Sequence, residues 1–224
     1  MTTNNAINSD SNVPIVSINL VQITNTGTYT PSAGMVYCMV ELVGGGGAGG
    51  GATAGLLGNS AAGGGGGGGF AMAIYSAATV GSSQTVTIGA GGTGGTGTGG
   101  NGTATTFGSL LTANGGTGAV NPGSSGTAGQ SPGGQPGYGT VGVAHVYGGA
   151  GFTGCSGGTF GNVSGQGGSS NYGQGGASVT GSSNGVTSLS FGAGGSGAST
   201  GGATNRSGGS GANGICQITE YLDR

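Results

Sequence analysis

The sequence predicts an all-β fold built around a bundle of polyglycine II rods, with strands at both chain ends and almost no α-helix. Three observations point there. Glycine supplies 65 of the 224 residues, far above the roughly 7% of ordinary proteins. β-prone runs occupy both ends of the chain and frame the glycine-rich middle. Within that middle, GG pairs recur at irregular intervals, as at Gly133–Gly134, Gly148–Gly149, Gly167–Gly168 and Gly194–Gly195.

The stretch 44–69 reads GGGGAGGGATAGLLGNSAAGGGGGGG. Glycine has no side chain to pack and loses the most backbone freedom on folding. Such a run is ordered where backbone packs on backbone, as in collagen, where only glycine fits the crowded axis. Five prolines and a broken G-X-Y phase exclude collagen itself. Left-handed rods of three residues per turn, bonding N–H to C=O between neighbours, satisfy the buried backbone instead.

Along the chain, residues 1–12 form a polar lead-in. Val13–Ile23 (VPIVSINLVQI) is β-prone, with Pro14 near its start, where a strand tolerates it. Turn residues fill 24–34, where Pro31 fixes φ. Met35–Val43 (MVYCMVELV) is the strongest strand, apolar on both faces and so expected to be buried on both. Phe70–Tyr75 (FAMAIY) alternates small alanines with Phe70, Met72 and Ile74. Gln84–Ile88 turns Val86 and Ile88 inward, and Thr103–Phe107 and Leu110–Ala113 form a short pair around Gly108. Ile215–Leu222 (ICQITEYL) closes the chain as a strand. The middle makes no ordinary core, so the first and last strands must be neighbours. A helix is disfavoured throughout, since each internal glycine costs about 1 kcal/mol relative to alanine.

Charge excludes several functions. There is no lysine, and the charged residues are Arg206, Arg224, Asp10, Glu41, Glu220 and Asp223. Nucleic-acid binding through phosphates needs clustered Lys and Arg, so no nucleic-acid partner is expected. No run of about 20 apolar residues is present to span a membrane. GxGxxG strings arise here from composition alone, and no helix follows to seat a phosphate. His145 is the sole histidine, and the acids lie near the termini or in strands, so neither a triad nor a metal set assembles. No catalytic residue, metal or cofactor is expected. Cys38, Cys155 and Cys216 are an odd number with no metal-ligand spacing; with Cys38 and Cys216 in strand-like runs, they read as small buried hydrophobes in preference to the alternative of a disulfide.

The isolated aromatics carry the functional signal. A ring amid glycine either plugs a gap between rods or stands at a turn. Tyr138, His145, Tyr147, Phe152 and Tyr172, with Asn, Gln, Ser and Gly around them, match the composition of a paratope. Phe191 shares that ambiguity between plug and contact.

Thr28–Tyr37 (TYTPSAGMVY), Val40–Gly47 (VELVGGGG), the glycine block ending at Ala71, Val86–Gly92 (VTIGAGG) and Gly211–Leu222 (GANGICQITEYL) come in the order seen in the glycine-rich domain of bacteriophage tail-fibre proteins, which the chain resembles over about 24–224. More distantly it resembles phage adhesins tipped by polyglycine II bundles. It departs from the snow-flea antifreeze bundles in its strand framework and irregular repeat, which argues against ice binding. The resemblance implies a virion-exposed fibre tip, without enzymatic activity, that binds a bacterial surface receptor, lipopolysaccharide or an outer-membrane protein, and assembles with other tail proteins as a homotrimer. It implies residues 1–24 as an attachment and oligomerisation segment and 25–224 as the tip domain. Within the tip, 25–113 and 215–222 supply the strand framework, and 44–69 and 115–214 the bundle. Receptor contacts are expected at turns far from the framework, through Tyr138, His145, Tyr147, Phe152 and Tyr172. The alternative is a structural virion or extracellular filament subunit without a ligand-binding face.

Overall fold

The computed structural model describes residues 15–54, 59–123, 129–140, 142–157 and 161–223. Most of the expected N-terminal attachment segment, Phe160 and Arg224 lie outside them. The elements are β1 (Ser17–Ile23), β2 (Gly27–Tyr29), β3 (Met35–Val43), β4 (Ser60–Ala61), β5 (Phe70–Ser76), α1 (Ala77–Val80), β6 (Gln84–Thr87), β7 (Thr105–Phe107), β8 (Leu111–Ala113), β9 (Gly129–Ser131), β10 (Gly139–Thr140), β11 (Ala144–Val146), β12 (Gly154–Ser156), β13 (Ser199–Thr200) and β14 (Ile215–Leu222). The only helix among the described residues is the single turn α1, capped by Ser76, whose hydroxyl accepts from the Thr79 N–H.

Two five-stranded antiparallel sheets face each other, one in the order β1-β14-β3-β5-β11 and the other β10-β8-β7-β6-β2. The first and last described strands are neighbours: β1 pairs with β14 from Ser17↔Leu222 to Ile23↔Cys216, and β14 pairs with β3. β1, which lies within the expected segment 1–24, is thus an edge strand of the first sheet. The period of two then decides burial. Cys38, Val40, Leu42, Ala71, Ala73, Cys216 and Ile218 point inward onto Tyr29, Val86, Phe107, Leu111 and Ala113 of the second sheet. The opposite face of the first sheet is only half covered. Tyr37 and Tyr221 stack there at 4.5 Å, while Ile18, Leu20 and Ile74 remain exposed. β3 is thus sealed on one face and only partly covered on the other, where Tyr37, Met39 and Glu41 are half-buried and Val43 is buried, although both faces are apolar in sequence.

The strands run on into rods. β3 passes directly into 44–52, and 62–69 passes directly into β5. In 44–52 successive N–H groups bond three different neighbours in turn. Gly44, Gly47 and Gly50 donate to Gly69, Gly66 and Gly63; Gly45, Ala48 and Gly51 to Thr103, Gly100 and Gly97; Gly46, Gly49 and Ala52 to Ala212, Gly209 and Arg206. The partner changes with a period of three, which is the turn of the polyproline II helix. The same rod accepts from Gly92, from Gly116 and Ala119, and from Gly195 and Ala198. It therefore has six neighbours and no face to solvent.

Two further rods are enclosed in the same way. Residues 62–69 bond to 44–50, 114–117, 134–137, 149–152, 165–168 and 192–198. Residues 192–198 bond to 44–52, 62–69, 165–168, Gly176, Val186 and 209–213. These three rods touch one another and form the backbone core of the bundle. The rest of the chain winds round them: 89–94, 97–103, 114–120, 132–138, 148–152, 163–169, 174–179 and 184–188 follow in order. The chain then enters the centre as 192–198 and fills the last outer gap as 206–213, which bonds 184–188 on one side and 89–94 on the other. Hexagonal packing of nine rods around three leaves flat sides three rods wide.

Glycine at the enclosed positions follows from geometry. A Cβ added at any glycine of 44–51 or 63–69 would come under 3.0 Å from the backbone of another rod, a contact that requires the backbone to move. On the outer rods every third residue faces out, and there small polar side chains serve N–H groups of neighbouring rods. Asn101 accepts from Gly118, Thr117 from Gln135, Asn213 from Gly91, Ser210 from Gly94 and Asn184 from Ser207. This explains a surface rich in Asn, Ser and Thr and nearly free of charge.

Candidate functional site

Consecutive rods alternate in direction, so the chain returns to the strand framework after every second rod. That return decides where the aromatics lie. Residues 138–147 form the return between rods 132–138 and 148–152, through β10 and β11, which pair with β8 and β5. Tyr138, His145 and Tyr147 therefore stand at the framework end, not at the far turns. Tyr172 lies in the return 170–173, also at that end. Only Phe152 is displaced away from the framework: its carbonyl accepts from Gly64, near the far end of 62–69. The expected grouping of five residues on distal turns is corrected on this point. Sequence proximity gave no count of rod reversals.

The structure does bring two of them together. The rings of Tyr138 and Tyr147 lie 6.1 Å apart, tilted by 43°, within the range of favourable aromatic pairs. Tyr138 is 48% exposed and Tyr147 68% exposed. His145, on β11 opposite Ala71, is also exposed. Tyr172 has a different role. It is half-buried, and with Phe191 it packs on Val43, Phe70 and Ile215 where the strands become rods. Its hydroxyl reaches Gln217 at 3.4 Å, and burial pushes its pKa up. Tyr172 and Phe191 plug the joint.

Phe152 is 64% exposed and borders a groove of about 530 Å³ on the flat side formed by 148–152, 163–169 and 174–179. Ala150, Gln166, Ser169 and Gln174 line it as well. Sequence reasoning passed over Gln166, Ser169 and Gln174. A signal was available: the tetrad GQGG occurs at both 165–168 and 173–176, which places two amides on adjacent rods.

No group of three or more His, Cys, Asp or Glu side chains gathers as a metal set among the described residues. The one fully buried carboxylate among the described residues, Glu220, is saturated by neutral donors from Tyr29, Ser32 and Asn19. That arrangement is structural: it ties β14 to β1, to β2 and to the turn before β3.

The fold is thus a two-sheet framework continued by a backbone-packed glycine bundle, whose outer faces carry almost no charge. A glycine-rich domain family profile matches residues 22–221, and the chain belongs to that family. A comparison with curated proteins gave no match.

Proposed function

We propose that the chain is a bacteriophage or prophage tail-fibre tip protein, carried on the virion, that recognises the bacterial host surface. The receptor in this reading is lipopolysaccharide or an outer-membrane protein, and the protein binds without catalysis. The observation that carries it is a pair of distinct exposed surfaces on one rigid scaffold. On the framework, Ile18, Leu20 and Ile74 form an apolar face suited to copies of the chain or to another tail protein. At the return of the chain to the framework, Tyr138, His145 and Tyr147, and on the bundle Phe152, stand out from a nearly uncharged surface and suit contact through ring area and neutral hydrogen bonds. The tail-fibre resemblance of the ordered landmarks from Thr28 to Leu222 points the same way.

The apolar sheet face also favours a second reading, a filament subunit that polymerises through it. Electron microscopy of the purified protein mixed with bacterial envelopes separates the two. Discrete particles or trimers decorating the envelopes support the adhesin. Polymers that leave envelopes bare support the filament subunit.

A further inference from the structure

We propose that the groove bordered by Phe152 is a binding subsite for a neutral oligosaccharide. The proposal deepens the host-recognition reading and rests on it for its biological setting.

The groove is built from three adjacent rods. Phe152 N–H donates to the Gln166 carbonyl and Gly149 N–H to the Ser169 carbonyl, which sets 148–152 beside 163–169. Ser170 N–H donates to Gly173 and Gly167 N–H to Gly176, which sets 174–179 on the other side. Phe152 therefore stands level with Gln166, while Ser169 stands level with Gln174 across the floor, and Ala150 lies between the two rows. The volume of about 530 Å³ is within the roughly 300–1,000 Å³ of ligand pockets.

Its chemistry is narrow. No charged side chain lines the groove. The side-chain amides of Gln166 and Gln174 make no hydrogen bond within the described chain, and neither does the Ser169 hydroxyl. Each amide offers a carbonyl acceptor and two N–H donors, and the hydroxyl offers both roles. Such groups pair with vicinal hydroxyls, which also donate and accept. An exposed phenyl ring beside them supplies a flat apolar platform for the C–H face of a pyranose. A peptide loop would bring backbone groups and charged side chains that find no counter-charge here. An anionic sugar would lack a cation. The occupant that satisfies both the ring and the amides is a neutral glycan.

The rods hold these side chains in fixed register, because the backbone beneath them is bonded on both sides. Tyr147 precedes Ala150 by three residues, the span of one rod turn or about 9 Å, so a glycan longer than the groove can extend towards the Tyr138–Tyr147 pair.

The test is a microarray of bacterial surface oligosaccharides, neutral and anionic, probed with the wild-type protein and with Phe152→Ala and Gln174→Ala at low and high salt. Both side chains are exposed, so both variants fold, and an unchanged melting temperature verifies it. The proposal expects binding to neutral glycans, loss of at least about tenfold in each variant, and no effect of salt. Binding confined to anionic glycans, no glycan binding at all, or variants that bind as wild type would overturn it. Adsorption to whole cells separates it from the parent reading. Wild-type adsorption unaffected by Phe152→Ala rejects the groove and leaves host recognition standing. Array binding with no cell adsorption rejects host recognition and leaves the groove. Adsorption that depends on Phe152 but disappears after protease treatment of the cells assigns the groove to a protein receptor and also rejects the glycan.

Discussion

Glu220 accepts a 2.6 Å hydrogen bond from the Tyr29 hydroxyl, and neither side chain is open to solvent. The other carboxylate oxygen takes 2.7 Å bonds from Ser32 Oγ and Asn19 Nδ2, while Ser32 N–H shares the first at 3.0 Å. A buried charge is tolerated when its lone pairs are filled. Here neutral donors from β1, β2 and the following turn fill them, so the carboxylate clasps the chain's start to its end.

Removing the acceptor strands those donors. Each buried unsatisfied group costs about 1–3 kcal/mol, so Glu220→Ala is expected to lose about 3 kcal/mol or more in chemical denaturation. Acid acts on the same residue. Burial alone raises its pKa, but the hydrogen bonds outweigh it and hold the carboxyl below its ordinary value of 4.5. The folded pKa is the lower one, so the unfolded chain binds more protons. The stabilisation is complete above about pH 4.5 and fades as pH falls through the folded pKa. Glu220→Gln is expected to flatten that acid limb, measured as melting temperature against pH.

The enclosed rods make a paired prediction. A Cβ at Gly47 meets the backbone of residues 117–118, and one at Gly66 meets 134–135. Overpacking costs about 1–3 kcal/mol where side chains can yield. Here only backbone stands in the way, so Gly47→Ala and Gly66→Ala are expected to reach or exceed about 3 kcal/mol. A Cβ at Gly95 meets nothing within 4 Å, and its φ is outside the left-handed region. Gly95→Ala is expected to be neutral or to stabilise by about 0.4–1 kcal/mol through the unfolded chain. Equal melting temperatures for all three variants would contradict the bundle.

Much of this fold was legible in the sequence. A period of two in 215–222 puts Cys216, Ile218, Glu220 and Leu222 on one face, and the structure buries the first three and half-buries Leu222. The glycine blocks marked two of the enclosed rods, because a rod with six neighbours admits little besides glycine. The third, 192–198 (GAGGSGA), was not singled out, since alanine and serine make it resemble its outer neighbours. The placement of the aromatics was not legible. It depends on whether an even or odd number of rods precedes each one, and the turn signals were too irregular to count reversals. Tyr172 could not be told from Tyr147 either: both stand at the framework end, and Tyr172 plugs a joint only because Val43, Phe70 and Ile215, distant in sequence, meet there, while Tyr147 faces solvent.

The cysteines give a chemical check. Burial, with the charge of Glu220 added, pushes the Cys38 thiol up to about 11. Burial, with Cys38 nearby, pushes Cys216 up to about 12. The thiolate is the reactive form, so both are expected to resist a thiol reagent until the protein unfolds. Cys155 is exposed and is expected to react in the native state. One thiol titrated before unfolding and three after is the expected count; three before unfolding would contradict the buried framework.

Assembly tests the open sheet face. Under the proposed function the wild-type protein sediments as a homotrimer or larger oligomer. Ile18→Glu with Leu20→Glu places two charges on the exposed face without touching the inner core. The double variant is expected to sediment as a monomer with an unchanged melting temperature. A wild-type monomer would remove this face from assembly.

Host recognition through uncharged rings is the central claim, and adsorption to bacteria tests it most directly. Wild-type protein and the Tyr138→Ala, Tyr147→Ala and Phe152→Ala variants are incubated with a panel of bacterial strains at low and high salt, and the bound fraction is measured. The expected result is wild-type adsorption to at least one strain, little changed by salt because no charge steers it. At least one folded variant loses about 2 kcal/mol or more of binding, the scale of an interface hot spot. Wild-type protein that adsorbs to no strain, or three folded variants that adsorb as well as wild type, would contradict it.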